Sequence, residues 1–196
     1  MTKRGRKRIP RVLVVLGSPR KRGNSALLAE QIAGGAKKAG AKIETVYLHG
    51  LDISPCTGCF SCQKSKSRGC IIKDDMQPLY RMMIEADAWV IASPVYWFSV
   101  SAQTKLWMDR SLALPAYRKD PFSGKRIAIA MSYGAEDPFD SGCVNALRTF
   151  QDAYRFVKAE IVGMVYGSAI KAGEIGKNKA LLKAAEELGK ELAAVT

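Results

Sequence analysis

Val12-Leu-Val-Val-Leu-Gly-Ser-Pro-Arg-Lys-Arg-Gly-Asn-Ser25 is the stretch around which the rest of the chain is organised. Its apolar run, Val12–Leu16, leads into a turn rich in glycine, serine and cations, and an amphipathic segment begins at Ala26. If the run is a strand and the segment a helix, the turn places free backbone N–H groups and two hydroxyls at a helix N-terminus, where anions are favoured. We therefore interpret Gly17–Ser25 as a phosphate-binding turn.

Four polar residues of this turn are best placed to meet a phosphate, and two glycines permit its tight backbone. The polar residues are Ser18, Arg20, Asn24 and Ser25, and the glycines are Gly17 and Gly23. The turn is not a P-loop, because Asn24 rather than lysine follows Gly23, and it lacks the G-x-G-x-x-G dinucleotide pattern. A plainer alternative is a strand-to-helix turn in which Ser25 only caps the helix.

Beyond the turn, short apolar runs alternate with amphipathic stretches, which is the pattern of a parallel sheet covered on both faces. The predicted strands are 11–16, 42–48, 88–93, 126–132 and 160–166, and the predicted helices are 25–40, 77–86, 101–114, 144–156 and 178–194. We expect one α/β domain over 11–196, a doubly wound three-layer sandwich. The favoured strand order is the flavodoxin-like 2-1-3-4-5, with a ligand crevice at the carboxyl ends of strands one and three.

The net charge of +13 is concentrated at the N-terminus. Six cations precede or begin the first strand and leave +7 without them: Lys3, Arg4, Arg6, Lys7, Arg8 and Arg11. We expect residues 1–10 to form a disordered basic tail. Such a tail can bind nucleic acid, but the chain shows no recognisable nucleic-acid-binding motif, so a solvated extension is the preferred interpretation.

No apolar run reaches the roughly 18 residues that a membrane-spanning helix needs, and no signal-peptide cleavage pattern follows the first apolar run. We therefore expect a cytoplasmic protein without a membrane segment. In that reducing setting the five cysteines are expected to be thiols or metal ligands rather than disulfides.

Two further turns are expected to face the same crevice. Ser93-Pro-Val-Tyr-Trp-Phe-Ser-Val100 follows the third predicted strand, and its three adjacent aromatic side chains cannot all point into the core. A flat, partly apolar ligand would give them a surface to cover. Ser132-Tyr-Gly-Ala-Glu-Asp137 follows the fourth predicted strand and offers Tyr133 and backbone donors.

From residue 11 onward the chain resembles the flavodoxin-like NAD(P)H-dependent FMN reductases. The resemblance is carried by Gly17–Ser25, by Ser-Pro-Val-Tyr-Trp at 93–97 and by Lys-Leu-Trp-Met-Asp-Arg at 105–110. It implies that Ser18, Arg20, Asn24 and Ser25 hold the FMN phosphate. It also implies that Pro94, Val95, Tyr96, Trp97, Phe98, Tyr133 and Gly134 contact the ribityl chain and the isoalloxazine ring.

The long segment between the second strand and the second helix, residues 50–75, contains four cysteines. Cys56, Cys59, Cys62 and Cys70 follow the spacing C-x2-C-x2-C-x7-C. Four thiolates at this spacing could bind a [4Fe–4S] cluster, zinc would accept the same ligands, and a loop of free thiols is the third alternative. With the following Ile-Ile-Lys-Asp-Asp-Met the run resembles the cysteine motif of the iron–sulfur flavoproteins, in which the cluster exchanges electrons with FMN.

Three other residues are expected to have structural roles. His49 is the only histidine and is expected at the surface. Cys143 is expected to pack near the start of the fourth helix. Lys105 and Asp109 are spaced to form a helix-stabilising ion pair.

The sequence and the resemblance together predict an FMN-dependent oxidoreductase. It would take electrons from NAD(P)H or a ferredoxin-like donor and pass them to a small-molecule acceptor, and the resemblance favours a homodimer or homotetramer. The alternative is an electron carrier that exchanges electrons with a protein partner and turns over no substrate. A basic surface would help to steer an acidic redox partner.

Overall fold

The computed structural model describes residues 8–194. The β-strands are β1 (Arg11–Leu16), β2 (Lys42–Tyr47), β3 (Ala88–Tyr96), β4 (Ser99–Val100), β5 (Arg126–Tyr133) and β6 (Glu160–Ser168). The α-helices are α1 (Asn24–Lys38), α2 (Met76–Glu85), α3 (Ala102–Arg110), α4 (Cys143–Phe156) and α5 (Lys179–Ala193). Short 3-10 helices cover Leu48–Gly50, Ser61–Gln63, Ser111–Ala116 and Glu174–Lys177.

The main sheet has five parallel strands in the order β2-β1-β3-β5-β6. Counted without the short β4, this is the predicted order 2-1-3-4-5, and the flavodoxin-like prediction is confirmed. Because the strands are parallel, β1, β3 and β5 end at the same edge of the sheet, with Leu16 beside Ala92 and Pro94 beside Ser132. The three predicted turns therefore begin side by side.

Two hydrophobic layers cover the faces of the sheet. On one face, α1 and α5 contribute Leu28, Ile32 and Leu188 to a layer that also contains Val12 and Val90. On the other face, side chains of α2, α3 and α4 pack together, including Tyr80, Trp107 and Phe150. Burial of these layers stabilises the fold and fixes the strand ends that carry the turns.

The third strand is longer than predicted. The sequence predicts its end at Ser93, directly before Pro94. The strand continues to Tyr96 because Val95 and Tyr96 pair antiparallel with Val100 and Ser99 of β4. The aromatic turn is therefore the tip of a small hairpin.

The third helix is shorter than predicted. Its α-helical part ends at Arg110, and Ser111–Ala116 continues as a 3-10 helix that contains Pro115. A proline has no N–H and its ring clashes with the carbonyl four residues earlier, which here belongs to Ser111. The proline thus accounts for the change of helix type where the α-helix ends.

The basic tail is described only from Arg8 onward. Arg8 forms an ion pair with Asp87, and Arg11, the first residue of β1, forms one with Glu85 at 2.9 Å. Lys3, Arg4, Arg6 and Lys7 lie outside the described residues, and the expectation of a disordered tail remains a prediction for them. Among residues 8–194, none of the helices has the length and apolar character required to traverse a lipid bilayer.

Candidate functional site: a crevice at the strand ends and a cysteine loop

The N-terminus of α1 is open to an anion. The helix begins at Asn24, its cap residue is Gly23, no side chain caps it, and its first turn contains no acidic residue. Its first N–H groups have no partner within the helix. The Ser25 hydroxyl lies in this first turn, buried and without a hydrogen-bond partner in the described part of the chain. Ser25 is thus not the simple helix cap of the plainer alternative.

Asn24 has a different role from the one predicted. Its side-chain amide donates to the carbonyls of Ala169 (3.3 Å) and Lys171 (3.0 Å) and accepts from the N–H of Ile175 (3.3 Å). These bonds tie the start of α1 to the segment after β6, and they use both amide hydrogens. The side chain is therefore engaged within the protein, and only the backbone N–H of Asn24 is left for an anion.

The remaining polar residues of the turn are divided between a buried group and exposed cations. Ser18 is buried, and its hydroxyl accepts a hydrogen bond from the N–H of Arg20 at 3.0 Å. The side chains of Arg20, Lys21 and Arg22 are exposed around the turn. They make the surroundings of the α1 N-terminus positive, which favours an anionic ligand.

A network of buried hydroxyls under the crevice was not predicted. The Ser101 hydroxyl donates to the carbonyl of Gly17 at 2.6 Å and lies 2.9 Å from the Thr104 hydroxyl, while Ser93 accepts from the Ser101 N–H. A Cβ atom on Gly17 would lie 1.9 Å from the Thr104 hydroxyl oxygen. Glycine is therefore required here, and the network joins the first turn to the aromatic hairpin. In the sequence, this network is indicated only by Ser101, a serine at the predicted start of a helix.

The hairpin holds three exposed aromatic side chains in a strained turn. Trp97 and Phe98 form its two-residue loop and have positive φ angles of 46° and 65°. Such loops favour Asn-Gly, because bulky residues rarely adopt this conformation. Trp97 is 93% exposed, and Tyr96 and Phe98 are also exposed. Strain of this kind is characteristic of ligand-binding sites.

The other predicted ring contacts are less accessible or differently placed. Pro94 is buried in β3, Val95 is half-buried, and Gly134 is exposed at the end of β5. Tyr133 is only 8% exposed and belongs to the core layer that contains Cys143. Its side chain packs inward, because the odd-numbered positions of β5 face that layer, so it offers a ligand little surface.

The cysteine loop is closed at its base by two aspartates. Asp74 accepts hydrogen bonds from the N–H groups of Ser54 (2.9 Å) and Met76 (3.1 Å), and Asp75 accepts from the N–H of Asp52 (2.8 Å). Arg110 of α3 forms a buried ion pair with Asp74 and also donates to the carbonyl of Ser54. The two ends of the loop are thus held together above α3.

All four predicted ligand cysteines line one small pocket. Cys56 and Cys59 are exposed, whereas Cys62 and Cys70 are partly buried. Hydrogen bonds from the backbone and hydroxyl of Ser61 and the hydroxyl of Thr57 lower the pKa of the Cys59 thiol to about 7. The pocket therefore gathers soft sulfur ligands, one of which is readily deprotonated.

Among the side chains of residues 8–194, no three of histidine, cysteine, aspartate or glutamate are close enough together to hold one metal ion. A [4Fe–4S] cluster, zinc and free thiols stay predictions for the four cysteines.

Cys70 is the most firmly held of the four cysteines. Its N–H donates to the Tyr117 hydroxyl at 3.1 Å, and its carbonyl accepts from the Gln77 amide at 3.2 Å. Its sulfur lies 3.5 Å from a guanidinium nitrogen of Arg110. Tyr117 also donates to Gln77, which completes a small network around this residue.

Three predictions about isolated residues are confirmed. His49 is exposed and lies 3.1 Å from the Gln103 side chain. Cys143 is the first residue of α4, and burial raises its pKa to about 11, so it is not an activated thiol. Lys105 and Asp109 form an exposed ion pair at 2.7 Å.

Comparisons with known proteins show the family of the chain. The profile of the family described as NADPH-dependent FMN reductase matches residues 10–169. An iron-sulfur flavoprotein of Archaeoglobus fulgidus is 32% identical over 182 residues, which cover 91% of this chain and 77% of the relative. The iron-sulfur flavoprotein MJ0731 of Methanocaldococcus jannaschii is 33% identical over 74% of this chain and 70% of its own.

Among solved structures, the NAD(P)H:quinone oxidoreductase from Methanothermobacter marburgensis has the same fold. The TM-score is 0.71 at 17% sequence identity, and the alignment covers 96% of this chain and 100% of that chain.

Proposed function

Because the chain belongs to the NADPH-dependent FMN reductase family, in its iron–sulfur flavoprotein branch, we propose that it binds FMN and a [4Fe–4S] cluster and transfers electrons from NAD(P)H or a ferredoxin-like donor to a small acceptor. The family makes the protein an oxidoreductase. The cluster, the donor and the acceptor are the finer parts of the proposal.

The observation that carries the FMN site is the open N-terminus of α1. A buried Ser25 hydroxyl without a partner, uncapped N–H groups and exposed cations form a set of donors suited to a phosphate. Ser18, Ser25, Arg20 and the backbone N–H of Asn24 would hold it. An unsatisfied buried hydroxyl is costly, and a phosphate oxygen would satisfy it.

The aromatic hairpin supports the placement of the flavin ring. Pro94, Val95, Tyr96, Trp97 and Phe98 stand at the end of β3, next to the phosphate turn at the end of β1. Gly134 would contribute from the end of β5, whereas Tyr133 would contribute mainly backbone. When bound, FMN supplies hydride and electron transfer that amino-acid side chains cannot perform. The residues of the chain bind it, orient it and cover its apolar face.

The cysteine pocket supports the cluster. It contains four sulfur ligands and a loop closed at its base, and the ligand set is the one that a [4Fe–4S] cluster requires. Cys56, Cys59, Cys62 and Cys70 would hold the cluster, which supplies one-electron transfer. The names of two relatives, quoted above, are consistent with this part of the proposal.

A second candidate function, that of an electron carrier, is favoured by the charges of the same loop. Lys64, Lys66, Arg68 and Lys73 are all exposed beside the cysteine pocket. A cationic rim of this kind would steer an acidic redox protein to the cluster. A homodimer or homotetramer fits both candidates, because the exposed Trp97 side chain would be covered by a second copy.

Anaerobic mixing experiments distinguish the two functions. As an enzyme, the FMN-loaded protein should lose its flavin absorbance when NADPH, NADH or reduced ferredoxin is added, and a soluble quinone should restore it over many turnovers. As a carrier, it should be reduced by reduced ferredoxin but should not turn over the quinone. Failure of every one of these donors to reduce the flavin would contradict both functions.

The Ser25→Ala variant is expected to bind FMN more weakly by about 1–3 kcal/mol, because the hydroxyl would bond a charged phosphate. Its stability without FMN should not fall, since this hydroxyl has no hydrogen-bond partner among the described residues, 8–194. Isothermal titration with FMN and chemical unfolding measure the two effects. The matched control is Asn24→Ala, which removes three internal hydrogen bonds and should destabilise the flavin-free fold. Equal FMN affinity in Ser25→Ala and wild type would remove Ser25 from the site.

The double variant Trp97→Asn/Phe98→Gly is expected to be more stable without FMN by about 1–2 kcal/mol, because it relieves two strained aromatic positions. It should bind FMN less tightly, since two ring contacts are lost. Unfolding curves and FMN titration test both effects. Phe156→Asn, at the exposed far end of α4, is the control and should leave FMN affinity unchanged. A double variant with unaltered affinity would show that the hairpin does not contact the cofactor.

A further inference from the structure

Two buried polar groups near Cys70 lack a hydrogen-bond partner among residues 8–194. They are the Tyr80 hydroxyl and the Arg110 Nε atom, and these residues are only 0% and 1% exposed. Unsatisfied groups at such depth are rare in proteins and call for an explanation. The Arg110 Nε–H can only donate, whereas the Tyr80 hydroxyl can donate or accept, so an acceptor beside them would satisfy both groups.

The position of these donors points to the sulfur of Cys70. Arg110 already places one guanidinium nitrogen 3.5 Å from this sulfur, and its ion pair with Asp74 fixes the rest of the guanidinium. The Tyr80 ring stacks on that of Tyr117 at 4.7 Å. Because the Tyr117 hydroxyl accepts from the Cys70 N–H at 3.1 Å, this stacking places Tyr80 next to Cys70. Tyr80 belongs to α2 and Arg110 to α3. Both lie beside Cys70, whose backbone N–H and carbonyl are also hydrogen-bonded.

We infer that Tyr80 and Arg110 are positioning residues for Cys70. Both side chains donate hydrogen bonds to the Cys70 sulfur and thereby set the reduction potential of the cluster. The inference rests on the proposed function, because it assigns Cys70 as a cluster ligand. Cys56 and Cys59 are exposed, whereas Cys62 is partly buried like Cys70. The two buried donors would act on the cluster through Cys70.

The direction of the effect follows from charge. Reduction adds one negative charge to a cluster and its thiolates, and hydrogen bonds to the sulfurs stabilise the more negative state. Donors at Cys70 therefore raise the potential. Removing one of them should make the cluster harder to reduce.

The test is a redox titration of the protein loaded with FMN and iron, followed by electron paramagnetic resonance. Tyr80→Phe removes the hydroxyl and leaves the ring that stacks on Tyr117. We expect wild-type iron content and a reduction equilibrium shifted about tenfold towards the oxidised cluster, which for one electron is about 59 mV. Arg110→Lys keeps the positive charge opposite Asp74 but loses Nε, and its potential should move in the same direction.

The control is Tyr154→Phe, which changes a buried tyrosine of α4 that packs on Phe150 and Trp89. It should leave the potential unchanged. If Tyr80→Phe retains iron and its potential equals that of the wild type, the inference is wrong while the proposed function stands. If Tyr80→Phe loses its iron, the reduction potential of Arg110→Lys tests the inference instead. A potential equal to that of the wild type in Arg110→Lys overturns the inference. A wild-type protein that binds no iron overturns the proposed function and this inference together.

Discussion

Replacement of Cys62 by alanine is expected to reduce the iron content from about four atoms per chain to less than one, while FMN stays bound. A cluster needs a thiolate on each iron, and alanine offers no ligand. Cys62 is partly buried, in the pocket that all four cysteines line. Iron, acid-labile sulfide and flavin are measured on protein purified without oxygen.

The control for this variant is Cys143→Ala, since Cys143 is a buried cysteine that lies outside the loop. It should retain the iron of the wild type, although a small cavity will lower its stability. If Cys62→Ala keeps wild-type iron and sulfide, the cluster is not held by the assigned cysteines. If both variants lose iron, the loss reflects damage to the fold rather than a missing ligand.

Replacement of Asp74 by asparagine is expected to destabilise the protein by about 3–5 kcal/mol at neutral pH, because it leaves the buried guanidinium of Arg110 without its counter-charge. The same carboxylate accepts the bonds that close the base of the cysteine loop. Chemical unfolding measures the loss. Asp109→Asn breaks only the exposed pair with Lys105 and should cost about 0.5 kcal/mol or less. Similar losses in the two variants would contradict a special role for Asp74.

The cost of Asp74→Asn should depend on pH in a defined direction. Burial alone would raise the pKa of Asp74, but hydrogen bonds from Arg110, Ser54 and Met76 outweigh it and lower the pKa below 3.8. The charged carboxylate therefore stabilises the fold above about pH 4, and this stability is lost as the pH falls through the lowered pKa. Unfolding free energies of wild type and Asp74→Asn should converge in acid. A difference that stays constant down to pH 2 would contradict the assignment.

The strand order could be predicted because it depends on local pattern. Each apolar run of the main sheet is long enough to be recognised, and parallel strands linked by helices allow few topologies. The early end of α3 could also have been predicted from the sequence, since Pro115 cannot continue an α-helix. The β4 hairpin was not, because Trp97 and Phe98 occupy a turn that normally contains asparagine and glycine.

The site could be located from the sequence, but the role of individual side chains could not. Asn24 bonds to Ala169 and Lys171, about 145 residues away in the chain, and nothing near Asn24 reveals that engagement. The same holds for Arg110, whose contacts with Asp74 and Cys70 join a helix to a loop. Spacing identified the four cysteines, but only the folded chain shows that Arg110 of α3 lies beside the sulfur of Cys70. Long-range partners are set by tertiary packing, which local sequence does not encode.

The most direct test of the central claim is the cofactor content of the protein purified without oxygen. FMN released by denaturation, iron and acid-labile sulfide are measured on one sample whose visible spectrum is recorded first. The predicted result is about one FMN and about four irons per chain, with flavin bands above the broad absorption of an iron–sulfur cluster. A protein that contains no flavin, and that takes up none when FMN is added, would contradict the central claim.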